Sequence, residues 1–188
     1  MDLNEAIVRR KSVRRFAEKK PDWRDIIECI DATRYAPMAG NIFTPRFILV
    51  QDPNKIQSVS EAAQQPFIAS AHFLVIMFSE PNKTLNAYKE DAEKFCRQQA
   101  GAAIQNFLLK IEEKKLATCW VGYFLEDLIK REFKIPASCV VEAVFPIGYD
   151  SHVRGQTPKH RKNIDIDRIL FFEKNKNKKM NKVPYLEV

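Results

Sequence analysis

The sequence predicts an α+β sandwich of two or three layers, and three observations predict it. Helical and strand patterns alternate irregularly rather than as repeated β-α units. The run His72 to Phe78 is apolar almost throughout and of strand length, the mark of a strand covered on both faces. One long helical stretch, about Leu85 to Lys115, places Phe95, Gln99, Ala103, Phe107 and Ile111 on a single face.

The elements follow in chain order. Asp2 to Arg10 reads as a short helix with Leu3, Ala6 and Ile7 on one side and an acidic start that suits the helix dipole. Pro21-Asp22 opens a second helix, carried by Ile26, Ile27 and Ile30 to about Ala36, where Pro37 stops it. Residues 37–45 form a loop punctuated by Gly40, Asn41 and Pro45. Arg46 to Val50 is a strand, and Asp52-Pro53 turns the chain into a helix ending near Ala63. Pro66 to Ser70 is a short helical piece. After the apolar strand and the long helix, Glu126 to Lys134 is helical and Val140 to Ile147 is a strand. A basic loop occupies 150–163, and Ile169 to Phe172 is a final short strand or a docked arm. With no internal repeat or interdomain linker, residues 1–173 are expected to form one domain. Residues 174–188, opening with the run Lys174 to Lys179, are expected to be a basic tail.

Composition narrows the function classes. A chain of 188 residues, 45% hydrophobic and 29% charged, is long and apolar enough to bury a core. The net charge of +7 admits nucleic acid, an anionic membrane or a phosphorylated ligand as partners. Cys29, Cys96, Cys119 and Cys139 lie in apolar or helical stretches without CxxC spacing, which favours a reduced, cytoplasmic setting. Residues 1–5 are acidic and no apolar core of a signal peptide follows them, and the longest apolar run falls far short of a membrane span.

Absent motifs exclude more. The five glycines, Gly40, Gly101, Gly122, Gly148 and Gly155, make no GxGxxG and no P-loop. His72, His152 and His160 lack metal-ligand spacing, so no metal site is expected. His72, opening an apolar strand, reads as a buried, hydrogen-bonded histidine rather than a catalyst. No serine elbow and no local cysteine-nucleophile signature occur. The charge leaves two readings of the cluster Arg9, Arg10, Lys11, Ser12, Arg14, Arg15. One is a solvated basic face. The other is an anion site in which Arg forks and the Ser12 hydroxyl hold a phosphate, with Lys159 to Lys162 closing on it from far along the chain.

Five segments taken together carry a resemblance: Arg9 to Phe16, Ala36 to Asn41, Leu116 to Gly122, Phe145 to Tyr149 and Lys159 to Lys162. In this order and at these distances they resemble the FMN-dependent nitroreductase superfamily over nearly the whole chain. The resemblance implies a three-layer sandwich, its central sheet mixed but mainly antiparallel and flanked by helices, in an intertwined homodimer with two FMN sites at the interface. By the match to R-[RH]-S-x-[RK], Arg10 and Ser12 would contact the phosphate and ribityl side. Arg14 would approach the N1/O2 edge of the ring, and Lys11 would assist by main or side chain. The loop Pro37, Met38, Ala39 and Asn41, similar to A-P-S-x-x-N, would reach the flavin from the partner subunit, Asn41 foremost. Gln64 or Gln65 would touch the ring, the backbone of Trp120, Val121 and Gly122 would lie beside N5, and Lys159 and Arg161 would complete the phosphate site.

The chain departs from the family pattern at Met38 in place of Ser, Phe43 in place of Gln, and Lys115 and Ala117 in place of two glycines. The implied chemistry is ping-pong. NAD(P)H reduces the flavin at N5, then a small organic acceptor such as a nitroaromatic or quinone is reduced in the same pocket. No catalytic acid or base side chain is demanded. Phe43, Trp120 and Tyr123 would line the pocket, and the small patch Ala100 to Ala103 would form a dimer seam. Two alternatives stand beside this. One is the same fold with another reaction: dehalogenation, flavin fragmentation or ring dehydrogenation. The other is a non-catalytic basic protein binding nucleic acid, against which no RRM, KH or zinc motif is present. No membrane partner is expected.

Overall fold

Four strands, β1 (Pro45–Val50), β2 (Phe73–Ser79), β3 (Ala117–Thr118) and β4 (Val140–Gly148), form one sheet in the order β1-β2-β4-β3. The structure is a computed structural model that describes residues 1–151 and 164–180. Every strand pair among the described residues is antiparallel. Among the described residues the α-helices are α1 (Leu3–Arg9), α2 (Trp23–Asp31), α3 (Pro53–Ala63), α4 (Asn82–Tyr88), α5 (Ala92–Glu113), α6 (Glu126–Phe133) and α7 (Ile166–Ile169).

Both faces of the sheet are covered, which makes three layers. Phe73, Val75 and Met77 of β2 point to one side, where they meet α2 and α5 through Ile26, Ala103, Ile104 and Phe107. Leu74 and Ile76 point to the other, against Ile56 and Val59 of α3 and Ile129 of α6. This two-sided burial is why β2 reads as a continuous apolar run rather than an alternating one. In β4 the alternation breaks at a bulge. Met77 pairs with Ala143 but Phe78 pairs with Val141, so Glu142 is the extra residue. The bulge lets Val141 and Val144 face the same cluster.

Helix starts follow local chemistry. The Asp2, Asp22 and Asp52 carboxylates accept N–H bonds from the first turns of α1, α2 and α3, and Pro53 sits at the head of α3. The long helix expected from Leu85 to Lys115 is two helices. Lys89, at φ 47° and ψ −115°, ends α4, and a 3₁₀ turn, Lys89–Asp91, leads into α5. Likewise α2 stops at Asp31 and a 3₁₀ turn continues to Tyr35. Ala100 and Ala103 lie in the chain's own core, while Gly101 and Ala102 are half-buried, with nothing within 4 Å of a Cβ placed on Gly101.

The chain divides into two compact units, Met1–His152 and Val153–Val188. In the second, no strand forms at 169–172, where α7 ends at Ile169 and residues 170–172 are irregular. Phe172 and Asn177 exchange main-chain and side-chain bonds in a tight turn, and Lys178 Nζ lies 4.0 Å from the Phe171 ring centroid. Among the described residues no helix is long and apolar enough to cross a membrane.

Candidate functional site

Three of the five motif segments converge at one end of the sheet. After α1 the chain runs extended as an arm along the β3–β4 edge. The Val13 N–H donates to the Thr118 carbonyl at 2.9 Å. Three residues on, Phe16 bridges Asp150, and beside it the Ala17 N–H donates to Tyr149 O at 2.8 Å and the Ser151 N–H to Arg15 O at 3.2 Å. The His72 ring, Nε2 to Ala17 O at 3.1 Å, ties the arm to the start of β2, so this histidine is hydrogen-bonded as expected but half-buried rather than buried. Gly148 is required beneath the arm. A Cβ there would stand 2.8 Å from Phe16 Cδ1 and 3.0 Å from its Cβ, so no larger residue fits while Phe16 holds its place.

The arm's alternation sorts its side chains. Val13 is buried, so its neighbours Ser12 and Arg14 face out. The Arg14 guanidinium lies over the Phe67 ring, 5.8 Å from its centroid, which brings the Gln64–Ile68 segment beside the arm. Arg10 closes α1 through its own N–H to Ala6 O and is half-buried. Lys11 is more committed, its ammonium 2.7 Å from Asp150 Oδ2.

The segment after β3 lies against the same edge. Val121 is buried and exchanges both main-chain bonds with Val144, N–H to O at 3.1 and 3.0 Å. Its peptide N–H is therefore spent on the sheet and is not free to donate to a ring. Any such donor in this segment belongs to Trp120 or Gly122. Trp120 is 44% exposed, its ring 6.4 Å from that of Phe145, and a Cβ on Gly122 would meet only Trp120 Nε1 at 3.8 Å. A planar ligand could approach the backbone here. Tyr123 is exposed and Phe43 half-buried. Gln64, in the left-handed cap of α3 at φ 54°, is exposed and lines a shallow depression of about 260 Å³ with Ser60, Gln65, Pro66 and Ala69.

The Pro37–Asn41 loop is not part of this convergence. It precedes Pro45, which pairs with Ser79, whereas the arm lies near Phe73, which pairs with Ile147. Six steps of β2 separate the two ends, about 20 Å at strand rise. At its end the loop makes a 3₁₀ turn, Ala39–Asn41, with Gly40 and Asn41 both at φ 57°. Pro37, Gly40 and Asn41 are exposed, Met38 and Ala39 half-buried. Lys159 and Arg161 lie outside the described residues.

Sequence reasoning missed several supports: Asp150 on Lys11, Phe16 on Gly148, and Gln99 under the 37–44 loop. Gln99 was recognised as a member of the long helix's core face, and its burial there was the available signal. The cysteines are all buried and unbonded, and burial pushes the Cys29 thiol up to about 12, which removes it as a nucleophile. No cluster able to hold a metal ion occurs among the described residues.

A family model for the nitroreductase family matches residues 7–65 and 53–149. The chain belongs to the nitroreductase family. It is thus an oxidoreductase-family protein of the α+β fold expected. Among its relatives, a putative NADH dehydrogenase/NAD(P)H nitroreductase of Methanothermobacter thermautotrophicus is 28% identical over 176 residues, 90% of this chain and 86% of that one. An iodotyrosine deiodinase of Thermotoga neapolitana is 26% identical over 192 residues, covering 87% and 95%. The solved structure of an FMN-dependent nitroreductase from Clostridium difficile R20291 superposes with a TM-score of 0.70 at 19% identity, covering 86% of this chain and 99% of that one.

Proposed function

We propose that this nitroreductase-family protein is an FMN-dependent NAD(P)H oxidoreductase acting on a small organic acceptor, with its site assembled between two copies of the chain. The observation that carries the reading is the docked arm. Main-chain pairing at Val13, Phe16 and Ala17 fixes the backbone and leaves Ser12 and Arg14 outward-facing, beside exposed Trp120 and open Gly122. The donor set suits the cofactor: cationic forks and a hydroxyl for a phosphate, and bare backbone for a planar ring. The C. difficile relative is named for FMN, and the M. thermautotrophicus relative for NAD(P)H.

FMN bound there would supply the two-electron chemistry that links NAD(P)H to an acceptor such as a nitroaromatic or a quinone. This chain's residues bind and orient. Arg10 and Ser12 would hold the phosphate. Arg14 would set positive charge beside the ring system, where it would favour added negative charge. Lys11, engaged by Asp150, serves through its main chain. Trp120 and Gly122 would lie against the planar ring, and Trp120 of one copy with Phe43 of the other would exclude water.

One copy does not bring Asn41 and the arm onto one ring, because the length of the sheet lies between them. We therefore assign the Pro37–Asn41 loop to the site of a second copy, with Gln64 at the ring's margin. Outward apolar side chains on α1 and α2, among them Leu3, Ile7, Val8, Trp23 and Ile27, support a homodimer.

The test is the visible spectrum of purified protein with and without FMN, then anaerobic addition of NADH or NADPH, then of acceptors. A bound flavin band that bleaches with NAD(P)H and returns with nitroaromatic or quinone supports the reading. Return only with a halogenated tyrosine would move the protein to the deiodinase reaction. No flavin binding would overturn it.

A further inference from the structure

We propose that Gln99 is a positioning residue. From within α5 it sets the left-handed turn that presents Asn41 to the flavin of the second copy, an inference that rests on the assignment of Asn41 above.

Gln99 is 5% exposed, and its amide is fully used on one loop. Its Oε1 accepts from the Thr44 N–H at 2.8 Å and from Thr44 Oγ1 at 2.7 Å, and its Nε2 donates to the Ile42 carbonyl at 3.0 Å. Only one orientation of the amide satisfies all three partners. Thr44 is itself buried, and its carbonyl accepts from the Glu80 N–H at 3.0 Å, which joins the clamp to the end of β2. The clamp begins one residue after Asn41.

On the other side of the turn stands Tyr88, the last residue of α4. A Cβ on Gly40 would lie 2.5 Å from the Tyr88 hydroxyl. Gly40 and Asn41 are consecutive left-handed residues, a conformation that L side chains avoid and that surroundings must impose. Tyr88 closes the turn from one side and Gln99 fixes its exit from the other. A buried apolar residue would anchor the loop as firmly. A buried amide with three directional bonds also fixes its register and rotation, and that is needed only if what the loop carries must point accurately. The loop carries exposed Pro37, Gly40 and Asn41.

The experiment measures FMN dissociation constants for wild type, Asn41→Ala, Gln99→Leu and the double variant, each confirmed folded by far-UV circular dichroism. Asn41→Ala is expected to weaken FMN about tenfold, as loss of a charged or well-aligned hydrogen bond does. Gln99→Leu should do nearly the same alone, and add less than about twofold in the Asn41→Ala background. Full additivity would make Gln99 a general support of the fold and overturn the proposal. An Asn41→Ala variant with unchanged affinity would instead overturn the assignment of Asn41, and this inference with it.

Gln99→Glu supplies a readout that a merely structural role would not move, and serves if the leucine variant fails to fold. A protonated carboxyl keeps one acceptor and one donor and reproduces the clamp. An ionised one loses the donor to Ile42 and sets a charge beside its carbonyl. Taken as a ratio to the wild type at the same pH, which removes the titration of the FMN phosphate itself, the affinity of this variant should be near one at about pH 5.5 and fall several-fold by about pH 8. A pH dependence identical to the wild type's would overturn the proposal.

Discussion

At one end of the sheet the arm Val13–Ala17 is held by its main chain. Bonds from Val13, Arg15 and Ala17 to Thr118, Ser151 and Tyr149 use peptide groups that any residue supplies. At the other end the loop before β1 is held by side chains, the Gln99 amide inside and the Tyr88 ring outside. The difference has a consequence for the site. Main-chain docking frees the arm's outward side chains for a ligand, so substitutions there act on binding and leave the fold. Side-chain docking concentrates the geometry of the loop in two or three residues, so substitutions beneath it act at a distance.

The largest expected effect comes from undoing the arm's docking. Gly148→Val forces its Cβ into Phe16 at a point where neither backbone nor ring base can yield. It should cost about 2–3 kcal/mol of stability. It should also weaken FMN by more than tenfold, since the arm moves as a unit. Thermal unfolding and flavin titration check both. An unchanged melting temperature would mean that Phe16 repacks and the arm is not locked there.

Arg14→Ala separates binding from folding at the same end. The side chain is exposed and lies over the Phe67 ring. FMN affinity and the rate of reduction by NAD(P)H should fall about tenfold or more, the worth of a charge-assisted contact, with the melting temperature nearly unchanged. A large loss of stability with flavin affinity preserved would reverse the comparison.

At the opposite end Gly40→Ala should cost about 1–2 kcal/mol, from a left-handed alanine pressed against the Tyr88 hydroxyl. Adding Tyr88→Phe removes the clash and keeps the backbone strain. Recovery of part of the loss, read from chemical denaturation, measures what Tyr88 imposes.

The smallest effect tests the bulge between the two ends. Burial raises the Glu142 carboxyl above the usual range, against the opposing influence of Ser79 and of Arg97, whose Nη1 stands 4.0 Å from Oε2. A carboxyl whose folded pKa exceeds its unfolded one stabilises the protein below the unfolded value, and that stability is lost as pH rises through the folded one. Glu142→Gln should therefore raise the melting temperature at neutral pH and leave it nearly unchanged in acid. The opposite pattern would mean that the Arg97 charge outweighs burial.

Much of this was legible in the sequence. The apolar run of β2, the capped start of α3 at Asp52-Pro53 and the face Gln99–Ala103–Phe107–Ile111 follow directly from periodicity and local chemistry. The nitroreductase resemblance was carried by segments far apart in the chain, three of which the fold brings to one edge. What was not legible depends on tertiary context. The break at Lys89 has no glycine or proline to announce it, and periodicity runs on across it. The Glu142 bulge appears only as a register shift between two strands. The main-chain commitment of Val121 is set by its bridge to Val144, a pairing that no local pattern encodes. Gln99 looked like one more position on a helical face, because side-chain type alone does not tell which backbone groups it will meet.

The central claim is that each site takes its arm from one copy and its loop from the other. Chains carrying Arg14→Ala and chains carrying Asn41→Ala, each defective alone, should be mixed, dissociated and reassembled. If the sites are shared, every mixed dimer has one site with both substitutions and one with neither. FMN binding and NAD(P)H-dependent reduction should then recover toward half of the wild-type level in that fraction. No recovery in verified mixed dimers would mean that Arg14 and Asn41 act within one copy, or not at one site at all.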